Sequence, residues 1–431
     1  MDHLEGKKLL LLGGSRNMKE IFDEAHRMGI RVGVTDWYDV DRSPVKRMAD
    51  WAHDVSIADD RALAALIRRE GYDGVLTGYT DSYLPFYAKL CDRVGLPCYG
   101  TEHQFEILTH KSLYKPVLER YGVPTLTSLD ADEITKGFDG FPIILKPTAG
   151  SGGKGLVIVE DVASFHKVMA GAGDTQYIIE PFLAADRQEM TAFFLFVDGD
   201  IYLTGTANRF LSKPQGDKIG LPILYSLPSS FDATFRAQTA PPLMRMFRDL
   251  RLRDGMLFAQ CFIHEGQAKV YDLGYRLTGS LEYKLLDRMY GVNPLRMMIR
   301  HSLTGKMTDD AQELVDAFSP EGHGYGFNVT VLGKEGTIAH VEGVESMLAM
   351  PQVMDCVFKM VPGESITPAM IGTLGQIVAR IFFVADTLEE AEDTLRNIYR
   401  VLRMYDTAGE NMILDTFKPE RLRATYRKIG S

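Results

Sequence analysis

The run Phe141-Pro142-Ile143-Ile144-Leu145-Lys146-Pro147-Thr148-Ala149-Gly150-Ser151-Gly152-Gly153-Lys154-Gly155 carries the densest chemistry in the chain. An apolar strand ends in a lysine, and a loop with four glycines and a second lysine follows. Glycine lets backbone N–H groups turn toward an anion without side-chain obstruction, and lysine supplies the compensating charge. The spacing departs from the P-loop pattern, and Leu156-Val157-Ile158-Val159 reads as a strand rather than a helix. A flap that closes over phosphates fits this text, and so does a plain glycine-rich hairpin. Three further features flank it. Upstream, Lys111 opens a helical segment, Thr109 to Lys115. Downstream, Tyr177-Ile178-Ile179-Glu180-Pro181-Phe182-Leu183 is an apolar strand that runs into an acid, with Glu189-Met190-Thr191 beyond it. Gln260 comes last, with Asp272 and Arg276 after it. Singly, Lys111 also reads as a solvated helix residue, and Glu180 as a strand-end charge.

The elements that must position these residues alternate in period. Residues 7–12 form an apolar run stopped by Gly13-Gly14, which reads as a buried strand. Met18, Ile21, Phe22, Ala25 and Met28 then recur at helical spacing up to Gly29, and a strand from Ile30 to Thr35 ends at Asp36. A second round runs through a helix at 60–69, Gly71 and a strand at 75–77, so the first 100 residues read as a parallel α/β layer. Asp36 stands where a dinucleotide site would hold its ribose, but the third glycine of G-x-G-x-x-G is missing, and a tight strand-to-helix turn is the better account. Thr101-Glu102-His103-Gln104 has capping-box spacing. Gly122-Val123-Pro124 should close the Lys111 helix and lead into a strand, and 141–200 is strand-like text punctuated by glycine. Helical periodicity returns at 240–250, and 256–263 with 268–273 read as a hairpin around His264-Glu265-Gly266-Gln267. A helix at 293–303 ends at Gly305, and the polar stretch 306–322 reads as a linker. Strands at 327–332 and 337–341 flank the turn Gly333-Lys334-Glu335-Gly336, and the capping box Thr387-Leu388-Glu389-Glu390 opens a helix through about Met404.

With 431 residues the chain has room for two to four domains. Its formal net charge of −10 argues against a dedicated nucleic-acid binder while leaving room for a local basic pocket. No apolar run approaches the roughly 18 residues that cross a bilayer, and the four leucines before Gly13 are too few for a signal-peptide core. Cys91, Cys98, Cys261 and Cys356 lack zinc-like clustering, so a cytoplasmic location is expected. No G-x-S-x-G or H-E-x-x-H occurs, and the histidines, including His110 and His301, are scattered. Arg209, after a strand, reads either as a substrate contact or as a surface residue.

Taken in order, Lys111, Lys146, the 150–155 loop, Glu180, Glu189, Gln260, Asp272 and Arg276 resemble the ATP-grasp superfamily of ATP-dependent carboxylate–amine and carboxylate–thiol ligases, which includes biotin carboxylase and carbamoyl-phosphate synthetase domains. The resemblance implies a mixed α/β and α+β multidomain fold. It sets a Rossmann-like parallel α/β domain at 1–100, a two-lobed ATP-grasp domain at 101–310 (smaller lobe about 110–182) and a small α+β domain at 311–431. It implies that Lys111 and Lys146 contact nucleotide phosphates and that Ser151, Gly152, Gly153 and Lys154 fold over them. Glu180 would meet the adenine amino group, Phe182 and Leu183 the base through their backbone, and Glu189 the ribose. Arg276 would bind the reacting carboxylate or acyl phosphate.

The metal site departs from the family. Two acids and an asparagine hold magnesium there, and here the positions read Gln260, Asp272 and Gly274. One bridging Mg²⁺ (or Mn²⁺) on Asp272 and Gln260 is chemically reasonable, since magnesium often takes one or two protein carboxylates and fills its octahedron with phosphates and waters. Two firmly held ions are not expected. Residues 323–415 are similar to the last domain of L-amino-acid ligases, through Gly333 to Gly336, Gly343-Val344-Glu345, Met350-Pro351-Gln352-Val353 and Pro362-Gly363-Glu364. The implied activity is ATP-dependent activation of an amino-acid-like carboxylate and its coupling to an amine. Small-molecule acid and amine are the partners, with no nucleic acid or membrane, and a homodimer is the assembly the resemblance suggests. The reduced metal set keeps a second reading open, a nucleotide-binding regulatory protein that does not turn ATP over.

Overall fold

The computed structural model describes residues 4–148, 155–183, 188–216, 218–318 and 323–427. Near the N-terminus, four short strands, β1 (Lys8–Leu12), β2 (Arg31–Thr35), β3 (Trp51–His53) and β4 (Gly74–Thr77), form a parallel sheet in the order β3-β2-β1-β4. Their Val/Leu-rich runs are what a sheet covered on both faces requires. The helices Lys19–Arg27 and Asp60–Glu70 connect them, the second capped by Asp59 at one end and Gly71 at the other.

Asp36, at the end of β2, is spent on the backbone. Its Oδ2 accepts from the Gly14 amide at 3.1 Å and the Ser43 hydroxyl at 3.2 Å, and its Oδ1 from the Tyr38 amide at 3.2 Å. Buried Lys46 closes the same loop by donating to the Asp36 and Tyr38 carbonyls. A side chain at Gly14 would overlap Ser43. The glycines and the acid that suggested a dinucleotide site therefore build a knot in the chain.

A second sheet, β6-β5-β7, is made by β5 (Ile143–Pro147), β6 (Val157–Val159) and β7 (Tyr177–Pro181). Between β6 and β7 lies a helix, Val162–Ala170, that the glycine-punctuated text did not announce. Asp161 caps it by accepting from Ser164, and Phe165 anchors it in a small core with Ile143, Leu145, Val159 and Ile179.

The largest sheet is built mainly from β8 (Gln188–Val197), β9 (Asp200–Leu211), β10 (Pro222–Leu227), β11 (Gly255–His264), β12 (Gln267–Gly274) and β13 (Tyr325–Leu332). Five strands follow: β14 (Gly336–Glu342), β15 (Val353–Phe358), β16 (Ser365–Ile366), β17 (Ile377–Ala385) and β18 (Arg403–Asp406). Two of them complete the large sheet, in the order β12-β11-β8-β9-β10-β13-β17-β15, while the other three form β16-β14-β18. The β11–β12 hairpin is the expected one. Its two-residue turn puts Glu265 (φ 52°) and Gly266 (φ 71°) at positive φ, the mark of a type I′ turn matched to strand twist.

β13 and β14 stand where the sequence put strands, on either side of the Gly333 turn, and they enter different sheets. Two expectations from the text fail. Gly122 to Pro124 leads only to an isolated bridge between Thr125 and Val270. The supposed linker holds a helix, Gln312–Ala317, seated by buried Leu314 and Phe318. The last long helix runs Leu388–Val401 and stops before β18 rather than reaching Met404, and its Glu390 side chain accepts from the Asp386 amide. Among the described residues no helix is long and apolar enough to cross a membrane, and all four cysteines are unpaired.

Replacing Asp36 with alanine should strand the buried Gly14 amide and lower unfolding free energy by about 1–3 kcal/mol. Urea unfolding checks this, and an unchanged midpoint would mean that the knot carries no stability.

Candidate active site

Lys111, Lys146, Glu189, Gln260, Asp272 and Arg276 all line one cavity of about 770 Å³. Hydrogen-bond register aligns much of its wall. Tyr225 on β10, Arg209 on β9, Glu189 on β8 and Phe262 on β11 are successive cross-strand neighbours. Two residues along, Thr191 faces Gln260, and Gln260 faces Asp272 on β12. A β-bulge between Gln260 and Cys261 shifts the register by one residue at Tyr271, from Gln260 opposite Asp272 to Cys261 opposite Val270. Strict alternation would send Tyr271 and Asp272 to opposite faces, yet with the bulge both line the cavity.

Arg209 forms an ion pair with Glu189 and donates to the Tyr271 hydroxyl at 2.9 Å. That hydroxyl lies 2.9 Å from Gln260 Oε1 and 3.2 Å from Glu189 Oε2, and its single proton serves one of them at a time. Tyr271 also stacks on Phe262 with centroids 4.0 Å apart. The Lys146 ammonium sits 5.3 Å and 5.5 Å from the centroids of these two rings.

Helix Lys111–Arg120 presents Lys111, Tyr114 and Lys115 on one face, as the i, i+3, i+4 spacing demands. Lys111 Nζ is 3.3 Å from Asp272 Oδ1, and the Tyr114 hydroxyl is also 3.3 Å from that oxygen. Lys115 pairs with one oxygen of Glu180, and Lys146 with the other at 2.5 Å. Burial by itself would push the Glu180 carboxyl up, but the two ammonium groups outweigh it and hold it below the usual range. Glu180 is thus a clasp between the helix and β5. Each of its oxygens keeps a further lone pair beyond these ion pairs. The Phe182 amide donates to the Pro142 carbonyl at 3.0 Å, so a contact from Phe182 to a base would use its carbonyl. Ser151, Gly152, Gly153 and Lys154 lie outside the described residues.

Arg276 is gripped bidentately by Asp81, Nε to Oδ1 at 2.6 Å and Nη2 to Oδ2 at 2.8 Å. Burial would lower its pKa, but Asp81 more than offsets this and keeps the guanidinium firmly charged. Asp81 follows β4, so the N-terminal sheet aims the arginine. Phe258 lies under Arg276, 5.1 Å from its carbon to the ring centre. The same ring fills the space a side chain at Gly274 would need. An asparagine at 274 would have to displace the Phe258 ring from under Arg276.

The sequence reading missed Lys115, Asp81, Tyr271, Lys359 and Arg380. Lys115 could have been found from its i+4 spacing to Lys111. Nothing local marks the others, which act through strand register or long-range contact. Lys359, just after β15, lines the cavity and donates to the Gly279 carbonyl at 3.1 Å. Burial first, and then Arg380, push its pKa down to about 7 against the pull of Glu282 and Glu20.

Residues 22–98 match the family described as the ATP-grasp N-terminal domain. The formate-dependent phosphoribosylglycinamide formyltransferase of Sulfurisphaera tokodaii is 27% identical over 216 residues, 46% of this chain and 53% of that one. The chain spans about half the length of the first curated relatives it matches. Among solved structures, the L-amino acid ligase of Bacillus licheniformis superposes with a TM-score of 0.74 at 18% identity, over 94% of this chain and 99% of that one. The biotin carboxylase domain of Hydrogenobacter thermophilus 2-oxoglutarate carboxylase, solved with MgADP, ADP and bicarbonate, superposes with the same TM-score at 16% identity, over 100% and 95%. The chain has the ATP-grasp fold, with a parallel N-terminal sheet and a large antiparallel sheet, as the resemblance implied.

Two outcomes follow from this geometry. Gly274→Asn should destabilise the protein and leave divalent-metal affinity unimproved, read by thermal unfolding and by Mn²⁺ titration. The Lys359 prediction concerns pH. Below about pH 7 both folded and unfolded chains hold its proton, and the burial penalty is complete. From there to the ordinary lysine range near 10.4 only the unfolded chain holds it, so stability gains from this group as pH rises. The advantage of Lys359→Met over wild type should therefore be largest below pH 7 and shrink toward pH 10 in urea unfolding.

Proposed function

We propose that the protein is an ATP-dependent ligase that activates a substrate carboxylate as an acyl phosphate and joins it to an amine, with an amino-acid-like acid or amine and a cytoplasmic setting. The observation that carries this reading is the convergence of Lys111, Lys146, Gln260, Asp272 and Arg276 on one cavity. The ATP-grasp fold and the ligase and transferase relatives support it.

In this reading Lys111 and Lys146 neutralise the nucleotide phosphates together with the 150–155 loop, and Arg276 holds the acid. A carboxylate oxygen attacks the γ-phosphorus and ADP leaves. The amine nitrogen then attacks the acyl carbon, phosphate leaves with the C–O bond electrons, and the amine gives up a proton. Phosphorylation is needed because oxide is a poor leaving group. The residues position and neutralise charge rather than form a covalent bond.

Asp272 and Gln260 would hold a divalent ion, which lowers the charge barrier between nucleotide and acid. Their donor set suits one ion bound with the nucleotide. Among the described residues no three His, Cys, Asp or Glu side chains gather for metal, and Lys111 already stands at Asp272. We assign residues 1–100, 101–310 and 311–431 to three domains that enclose this cavity, with small molecules as partners. The Lys111–Asp272 pair and the Phe258 ring at position 274 also suit the regulatory reading, in which nucleotide binds without turnover.

Thermal unfolding with ATP or ADP, with and without magnesium, tests the reading. Ligand at about a hundred times its Kd adds roughly 2.7 kcal/mol. Wild type should shift, Lys146→Met should not, and Asp272→Asn should lose the magnesium-dependent part. No shift under any condition overturns the nucleotide site, and a shift without acid-dependent ADP release favours the regulatory reading.

A further inference from the structure

The cations of the cavity wall follow a rule with one clear exception among the arginines. Arg276 has Asp81 and Arg209 has Glu189. Arg380 on β17 lines the same cavity and is only 3% exposed, yet among the described residues no carboxylate lies within ion-pairing distance of it. Its Nη1 donates to the Thr330 hydroxyl at 2.8 Å and reaches Asn328 Oδ1 at 3.5 Å, both neutral groups on the adjacent strand. Its Nε is buried with no hydrogen-bond partner.

The surroundings answer the charge only at a distance. The Tyr225 ring lies 5.9 Å away, a weak partner for a full charge. Lys359 adds a second nitrogen base on the same wall, and Arg209 adds positive potential. Glu282 acts on both from a distance: its Oε2 accepts a hydrogen bond from the Thr278 hydroxyl, its Oε1 is buried without a hydrogen-bond partner, and it does not line the cavity. A desolvated guanidinium without a hydrogen-bonded anion costs several kcal/mol. That cost is recovered when a bound oxyanion takes the two-pronged fork, which matches carboxylate and phosphate geometry.

We propose that Arg380 is the station for a second, unreactive oxyanion on the substrate, a carboxylate or a phosphate carried apart from the carboxylate that is activated. Its place in the sheet separates it from the nucleotide end. Asp272 and Gln260 lie on β12 and β11 at one edge, whereas β17 stands one strand from the other edge. The acid or amine taken by the enzyme is thus itself an anion at its far end. The role as a substrate station rests on the ligase reading, whereas the anion site does not.

The test uses the full chain with saturating ADP and magnesium, so that the nucleotide end is filled. Thermal unfolding is followed while succinate or inorganic phosphate replaces sodium chloride at constant ionic strength. Wild type should be stabilised by at least one of them, and which one acts separates a carboxylate from a phosphate station. Arg380→Met should weaken that response at least tenfold in apparent affinity. It should keep the ADP shift and unfold no earlier than wild type without anion, because it removes an unpaired buried charge. If the methionine variant fails to fold, Arg380→Lys, which keeps charge but loses the fork, should still show weakened anion affinity. An unchanged response in the variants, no response in wild type, or a folded Arg380→Met that unfolds well below wild type would each overturn the proposal. An Arg380-dependent anion effect without acid-dependent ADP release supports the anion site and removes the ligase reading instead.

Discussion

Everything at the centre of this molecule is organised by the need to hold many cations in one low-dielectric cavity. Like charges at such distances repel strongly unless each is matched. The chain answers with carboxylates drawn from separate elements: Glu180 on β7 for Lys115 and Lys146, Glu189 on β8 for Arg209, Asp272 on β12 for Lys111, and Asp81 after β4 for Arg276. Each pair crosses between elements, so neutralising the cavity also fixes the relative position of three sheets. The charge that a nucleotide would bring can then exchange with these carboxylates rather than enter a vacant field.

The same constraint shapes the packing around Asp272, where Lys111 and Arg276 already bring two positive charges close to one carboxylate. Phe258 fills the volume beside Gly274 and gives the Arg276 guanidinium a ring face. Tyr271, delivered by the bulge, hydrogen-bonds the Gln260 side-chain oxygen. These contacts are mutually consistent: each fills space or satisfies a polar group that its neighbour leaves open.

Much of the fold was legible because it rests on local signals. The strands β1, β2 and β4, the Thr101 capping box and the Glu265-Gly266 turn are each written in a few adjacent residues, whereas the short β3 was not read. The helix at 162–170 was not, because the glycines on either side mask a single buried anchor, Phe165. Nor was the split of β13 from β14, since a turn sequence does not say which sheet its flanks join. At the site, the lysines and Asp272 could be picked out by order along the chain. Asp81 and Arg380 could not, since each matters through partners tens to hundreds of residues away. Tyr271 escaped because alternation assigns it to the wrong face until a bulge is known.

The N-terminal sheet, though it lends few residues to the cavity, sets its geometry. Asp81 orients Arg276, and the Tyr99 ring packs edge-on against Tyr275, with centroids 5.3 Å apart. On the far side, Arg16 holds Glu364 through two bonds of 2.7 and 2.6 Å and donates to the Lys359 carbonyl at 3.1 Å. Movement of this sheet would therefore disturb Arg276 and Lys359 together. The two groups belong to opposite ends of the β12-to-β15 sheet order, so the N-terminal layer touches both ends of the cavity wall. Those two contacts are a physical reason for a parallel α/β layer to accompany a cavity whose lysines Lys111 and Lys146 lie on other elements.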